Sequence, residues 1–251
     1  MYYIIQENVF RESSYEYVFK ALDRLGLEYE QVSLNKSDSF PFESDRKDVF
    51  CFGSVKLARI ATQYGWTPGS LQNDNHDFEV YASYWKHHLL NGDSKIVSLN
   101  SLINFGGQEL FIRPTKDSKT FTGAIFNETS WIETLKRIRE RKKTTDEKIQ
   151  IAKPKHLLNE IRCWIVNKKT ITASTYKIGN EVRYMEYLDQ EGISFANEMA
   201  QLYAPAEAFV LDICLTHQGW KVVEANCINS AGFYACDLQR LIIGLEDYFG
   251  R

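Results

Sequence analysis

Asp212, Glu224 and Asn226 are the residues whose types and spacing most clearly invite chemistry. They lie in FVLDICLTHQGWKVVEANC, where two apolar, β-prone runs flank His217-Gln218-Gly219. A three-residue loop with Gly last suits a hairpin with a bulge, the Gly taking the left-handed conformation. That turn predicts Thr216 opposite Trp220, and counting outward places Asp212 opposite Glu224. Opposed residues on one hairpin face sit about 5 Å apart at Cβ, so two carboxylates there repel unless something positive lies between them. Asn226, two residues on, shares the face of Glu224. Two acids and an amide make an all-oxygen donor set, of the kind hard divalent cations such as Mg2+ prefer and bridge to nucleotide phosphates. The plain alternative is an exposed polar strand face. Against it, Ile213, Leu215 and Val223 fill the opposite face, and Val210 and Val222 flank the acids on their own, which predicts a buried or cleft position.

Two further segments carry charge in apolar company. In FIRPTKDSKTFTG, Arg113 sits mid-strand, and Lys119 sits in a loop with Ser118, Thr120, Thr122 and Gly123. A triphosphate needs cations together with loop donors that close over it; a solvated loop with incidental charges is the alternative. No G-x-x-x-x-G-K-[ST] is present, so phosphate binding by that loop type is excluded. In NEIRCWIVNKKTITASTY, strand alternation puts Glu160, Arg162 and Trp164 on one face. Glu and Arg side by side in a half-buried strand are expected either to pair with each other or to meet a ligand.

The pattern D-x(11)-E-x-N followed by NSAGFY resembles the C-terminal end of the ATP-grasp superfamily. There, an acid on one strand and E-x-N on the next bind the Mg2+ ions of Mg-ATP. The resemblance implies Asp212, Glu224 and Asn226 as metal ligands, with Asn229, Ser230 and Gly232 in the loop beside the phosphates and the acceptor. Arg113-Pro114 stands where many members have Lys-Pro. It is similar instead to a smaller, stand-alone clade, frequent in phages and bacteria, with R-P-x-x-D-S-K-x-F-x-G. In that clade Arg113 and Lys119 are the expected phosphate-binding pair. The E-x-R strand resembles that of peptide-ligase members, where the Arg faces the transferred phosphate or acyl phosphate. This implies Arg162 as the stabiliser of transition-state charge, and Glu160 as a residue that orients it or touches the nucleotide. EKIQIAKP resembles the hinge strand whose backbone reads adenine, at Gln150, Ile151 and Ala152.

These residues need elements to hold them. Tyr2 to Gln6, Glu30 to Leu34 and Val49 to Phe52 read as strands. Ser14 to Leu25 has helical spacing and stops at Gly26. Ser54 can cap a helix through Leu57, Ala58, Ile60 and Ala61 that ends at Gly65. This strand and helix alternation predicts a small, partly parallel α/β unit. A turn-rich stretch holding WTPGSLQND and a short helix over Phe78 to Leu89 follow, and a boundary is expected near residue 95. Beyond it the pattern predicts strands at Leu110 to Pro114, Gly123 to Phe126 and Ile149 to Ala152. A helix over Trp131 to Lys142 is expected, opened by a Ser130–Glu133 capping box. A hairpin of Asn159 to Val166 with Thr170 to Thr175, a helix over Ser194 to Ala204, the Asp212–Glu224 hairpin and a last helix carrying Leu238, Leu241, Ile242 and Leu245 complete the chain. The expected fold class is α/β plus α+β. With the resemblance, it is an ATP-grasp fold with a small N-terminal pre-grasp α/β domain at residues 1–94 and an ATP-grasp α+β domain at 95–251 whose two halves grip ATP.

A chain of 251 residues with 44% hydrophobic and 25% charged residues can bury a large core. A net charge of −3 gives no strong field for nucleic acid. No apolar run is long enough to span a bilayer, MYYIIQENVFRE lacks the features of a signal peptide, and the five cysteines are odd in number and scattered. A cytoplasmic protein with free thiols is expected. The resemblance implies ATP and Mg2+ as cofactors and an ADP-forming ligase that joins a carboxylate substrate to an amine acceptor, drawn from amino acids, peptide or protein termini, or a modified base. A kinase acting on its substrate without ligation, and a nucleotide-binding module without turnover, stay open. The sequence leaves the oligomeric state open as well.

Overall fold

The computed structural model describes residues 1–7, 9–10, 13–34, 45–116, 118, 120–141 and 147–250. Lys119, expected at the phosphates, lies outside the described residues. The chain begins with strand β1 (Tyr2–Gln6), helix α1 (Tyr17–Leu25), strands β2 (Tyr29–Val32) and β3 (Val49–Phe52), and helix α2 (Val55–Tyr64). The three strands form a parallel sheet in the order β2-β1-β3, with Ile4 between Glu30 and Cys51. Every residue of β1 and β3 is buried, as expected of parallel strands covered on both faces. Gly26 and Gly65, both left-handed, close the two helices by bonding back to their last turns. Ser54 stands at the start of α2, but its hydroxyl does not cap the helix. It donates to Gln6 Oε1 at 2.8 Å, and the Ser54 N–H does so at 3.0 Å. The buried end of β1 leaves Gln6 needing those donors more than the helix needs a cap.

Residues 77–156 make a second compact unit. It contains helix α3 (Phe78–Trp85), strands β4 (Lys95–Ser98), β5 (Leu110–Pro114) and β6 (Ala124–Phe126), helix α4 (Glu128–Glu140) and strand β7 (Lys148–Ala152). The sheet is antiparallel in the order β4-β7-β5-β6. Its core gathers Leu99, Phe105, Ile112, Phe126, Trp131, Ile138 and Ile149. Helix α4 starts earlier than expected. Asn127 is the cap: its side chain accepts the Ser130 N–H at 2.9 Å, and Ser130 Oγ accepts the Asn127 N–H at 3.1 Å. Asn caps as well as Ser does, so the box closes three residues upstream of the expected Ser130–Glu133 pair.

The rest of the chain returns to the first unit, which comprises residues 1–76 and 157–251. Strands β8 (Asn159–Val166), β9 (Lys169–Ile178) and β10 (Glu181–Glu186), helix α5 (Gln190–Leu202), strands β11 (Ala208–Thr216) and β12 (Gly219–Cys227), and helix α6 (Leu238–Phe249) follow in order. The five strands form one antiparallel sheet, β10-β9-β8-β11-β12. Tyr3, Ile5, Phe50 and Phe52 of the parallel sheet share one core with Trp164, Val166, Ala208 and Val210 of the antiparallel sheet and with the apolar stripe of α6. That shared core explains why the two ends of the chain form one unit. The expected division at residues 94 and 95 therefore does not coincide with the compact units, since it falls inside the second of them. All five cysteines are free, with Cys51, Cys163 and Cys214 buried. No helix among the described residues is long and apolar enough to cross a membrane.

Candidate active site

Asp212 and Glu224 are register partners, but the hairpin reaches that pairing by a different route from the expected one. Thr216 pairs with Gly219, so the loop is His217-Gln218 alone, and Leu215 rather than Thr216 faces Trp220. Thr216 Oγ1 accepts the Gln218 N–H at 3.1 Å and donates to the Gly219 carbonyl at 2.8 Å, which holds the tighter turn. The extra residue is Val223, where the register shifts between Ile213–Val222 and Asp212–Glu224. A bulge of this kind re-aims its neighbours, and here it lies directly beside the two acids.

Strand β8 flanks β11 on its other side and brings Arg162 into register with Asp212. The two form a planar, two-pronged pair: Arg162 Nε donates to Oδ1 and Nη2 to Oδ2, both at 2.8 Å. Arg162 Nη1 donates to the Gly232 carbonyl at 3.3 Å. Asp212 is 1% exposed and Arg162 8%. Glu160 is not the partner of Arg162. It accepts from the Tyr176 hydroxyl and forms an ion pair with Lys177, both at 3.0 Å. Directly cross-strand neighbours are closer than same-face residues along one strand, so each charge pairs sideways.

Burial pulls the Arg162 pKa down, but the charge and hydrogen bonds of Asp212 outweigh it and hold the guanidinium above its ordinary value. Burial pushes the Asp212 carboxyl up; Arg162 works against this, while Glu224 and Glu160 add to it. Burial, then the charges of Asp212 and Glu160, raises the Tyr176 hydroxyl well above its usual range, so it stays a neutral donor.

Asn226 Nδ2 donates to Asp212 Oδ2 at 3.2 Å and to Glu224 Oε1 at 3.0 Å. The amide supplies the positive dipole that two facing acids require. Turned over, the same amide presents an oxygen, and Asp212, Glu224 and Asn226 become an all-oxygen donor set that fits Mg2+. Among the described residues no three His, Cys, Asp or Glu side chains gather into a cluster that could hold a metal, so the amide oxygen is needed for that role.

The loop after β12 is placed differently from the expectation at one point. Asn229 is 2% exposed and its amide is spent on the backbone. Nδ2 donates to the carbonyls of Cys51 at 2.6 Å and Gly69 at 3.3 Å, and Oδ1 accepts the Leu71 N–H at 2.8 Å. Tyr176 and Tyr234, which the sequence reading did not single out, both lie against Arg162, its guanidinium carbon being 5.9 Å and 4.6 Å from their ring centroids. The only sequence signal for them was position: Tyr176 in the strand that pairs with β8, and Tyr234 at the end of NSAGFY.

In the second unit Arg113 is half-buried on β5, in register with Gln150 on β7. Gln150 is 1% exposed, and its Oε1 accepts from Ser94 Oγ at 3.3 Å. Gln150 and Ile151 have strand partners on both sides, whereas Ala152 is paired only with β5. Of the three positions expected at the hinge, Ala152 alone lies beyond the β4 pairing. Gly123 sits against Arg113: a Cβ there would lie 2.6 Å from Arg113 Cβ. Gly123→Ala is expected to destabilise the second unit by about 1–3 kcal/mol through overpacking and to weaken ATP binding by displacing Arg113. Calorimetric titration beside a thermal melt checks it, and unchanged affinity would show that the position of Arg113 is immaterial to the nucleotide.

A family model described as ATP-grasp domain, R2-K clade family 3, matches residues 63–244. No curated protein matches the chain. Among solved structures, D-alanine–D-alanine ligase from Bacillus anthracis complexed with ATP is similar at 15% identity and TM-score 0.61, the match covering 100% of this chain and 98% of that one. D-cycloserine synthetase DcsG is similar at 10% identity and TM-score 0.65, over 99% of both chains. The ATP-grasp ligase PsnB complexed with a minimal precursor, Mg and ADP is similar at 11% identity and TM-score 0.57, over 100% of this chain and 98% of that one. The register of Asp212 with Arg162 and Glu224, the E-x-N strand and the matched span agree: the chain belongs to the ATP-grasp family, in R2-K clade family 3.

Proposed function

We propose that the protein is an ATP-dependent, ADP-forming ligase that joins a carboxylate to an amine through an acyl phosphate. The observation that carries this reading is the row Arg162–Asp212–Asn226–Glu224, a buried cation and an oxygen donor set fixed on three adjacent strands. When bound, Mg2+ would neutralise phosphate charge, with Asp212, Glu224 and Asn226 as its ligands. Arg162 has three N–H groups engaged by Asp212 and Gly232 and keeps the others for an anionic oxygen. Because the two-pronged pair with Asp212 holds one edge of the guanidinium in place, the group needs little reorganisation as charge develops during phosphoryl and acyl transfer. Arg113 and Lys119 are assigned to phosphate oxygens, and the backbone at Ala152 to adenine. No protein nucleophile is required. The similarity to a D-alanine–D-alanine ligase and to the ligase PsnB complexed with a precursor peptide supports an amino acid, peptide or protein terminus as substrate.

ADP release measured across a panel of acids and amines tests the reading. Release that depends on both partners supports ligation. A phosphorylated product with no need for an amine identifies a kinase, and ATP binding without release identifies a module. Glu224→Ala separates metal binding from folding. It removes a ligand and also a repulsion, so the melting temperature should hold. Mg2+-dependent ATP affinity should fall by roughly 100-fold or more, since losing an outer-shell partner alone costs ~10–100-fold. Titration calorimetry reads this, and a folded variant with native affinity would remove Glu224 from the metal site.

A further inference from the structure

Tyr234 has a backbone that its side chain does not favour. Its φ is 50°, in the left-handed region that bulky residues rarely occupy. The residues on either side explain how it is held there. Phe233 is fully buried in the core of the first unit and packs on Phe10 and Phe52. The Ala235 N–H donates to Ser174 Oγ at 3.1 Å, and the Asp237 N–H donates to Thr172 Oγ1 at 2.9 Å. The turn is thus pinned on both sides, and the conformation places the ring of Tyr234 against Arg162, 4.6 Å from its guanidinium carbon. Tyr184 stacks on Tyr234 at 4.9 Å with rings 8° apart, and Tyr176 lies 5.4 Å away. Two residues upstream, the Gly232 carbonyl accepts from the same guanidinium.

Resting on the ligase reading above, we infer that Tyr234 is a positioning residue for Arg162: its ring, held in a strained turn, fixes the guanidinium plane that Asp212 alone fixes only along one edge. The attraction of a cation for an aromatic face supplies the force. The burial of Arg162 keeps that force from being screened. Strain retained at a bulky residue, where Gly would be free of it, marks a position held for what its side chain does.

Two substitutions separate positioning from structure. Tyr234→Gly relieves the backbone strain and deletes the ring. Tyr234→Phe keeps both the strain and the ring. The glycine variant should melt no lower than the native protein, yet its kcat for ADP release should fall roughly tenfold or more, with KM for ATP nearly unchanged, because a misplaced catalytic group costs rate. Phenylalanine should rescue most of that loss. A second readout does not need turnover: the Arg162 Nε–H resonance in 15N spectra should lose its ring-current shift and its protection from exchange in the glycine variant and keep both in the phenylalanine variant. A glycine variant with native kcat and an unmoved Arg162 resonance overturns the inference, as does a phenylalanine variant as impaired as the glycine one. Should the native protein release no ADP with any acid and amine, the ligase reading fails, and the resonance alone decides whether Tyr234 positions Arg162.

Discussion

Arg162→Met is expected to destabilise the fold by about 3–5 kcal/mol near neutral pH, because it strands a buried carboxylate rather than because it loses contacts. Methionine replaces much of the side-chain volume, so the cavity is small. What remains is Asp212, 1% exposed and beside Glu224, with its strongest counter-charge gone. The pH dependence identifies this cause. Burial already raises the Asp212 pKa above its unfolded value with Arg162 present, and without Arg162 it must rise further. A carboxyl with a raised folded pKa takes up its proton more readily in the folded state. Its contribution to stability is therefore fully present below the unfolded pKa and is lost as the pH rises through the folded one. The deficit of Arg162→Met should accordingly be largest at pH 7.5 and shrink at pH 5. Adding Asp212→Asn should recover part of it at pH 7.5. Urea unfolding at the two pH values measures this, and an equal deficit at both would mean that packing, not the stranded charge, is responsible. Arg162→Lys addresses chemistry instead. It keeps the positive charge and loses the two-pronged donor plane, so ATP should bind nearly as well while turnover falls. A lysine variant less stable but fully active per folded molecule would make the ion pair purely structural.

The parts of this molecule that could be read from the sequence are those in which burial leaves a period. Strands β1, β3, β5 and β8 appear at the residues their apolar patterns mark, and α6 buries the four residues its spacing selects. Strands β4 and β10 left no such mark. Every residue of β10 is exposed and three of the four in β4 are, so both edge strands rest on backbone pairing that residue types do not record. The Asp212–Glu224 pairing was legible, although its cause was misplaced: an extra residue was expected in the turn and lies in mid-strand. The Thr216 hydroxyl tightens the loop, and the bulge at Val223 restores the register. The partner of Arg162 could not be read, because it depends on β8 lying beside β11, an adjacency across some fifty residues of chain. The division into units was hidden for the same reason, since the N-terminal sheet and α6 share a core that only the folded chain assembles.

Asn229 is the second position where a large effect is expected, and it distinguishes a fold role from a ligand role. The short turn Ile228–Ser230 joins β12, with its Asn226, to the loop that carries Gly232 and Tyr234. Asn229 ties that turn to the parallel sheet. Its amide donates to the carbonyls of Cys51 and Gly69 and accepts from Leu71, and its own carbonyl accepts the Gly53 N–H at 2.7 Å. Asn229→Ala keeps the last of these bonds and deletes the side-chain ones. The Gly69 carbonyl still accepts the Cys51 N–H, so the loss falls mainly on the Leu71 N–H and the Cys51 carbonyl. Stranding two buried backbone groups at about 1–3 kcal/mol each gives an expected loss of roughly 2–6 kcal/mol. Asn229→Asp tests the direction of the bonds. It retains an acceptor for Leu71 but turns a carboxylate oxygen toward two carbonyls, and it should be at least as destabilising as alanine. Under a fold role, ATP affinity measured on the folded fraction should change by less than about threefold in the alanine variant, well under 1 kcal/mol. Under the ligand role implied by the family resemblance, the outcome reverses: the melting temperature stays near native and Mg2+-dependent ATP affinity collapses. Chemical unfolding and nucleotide titration on the same preparation of Asn229→Ala decide between them, and native stability with lost affinity would return Asn229 to the phosphate site.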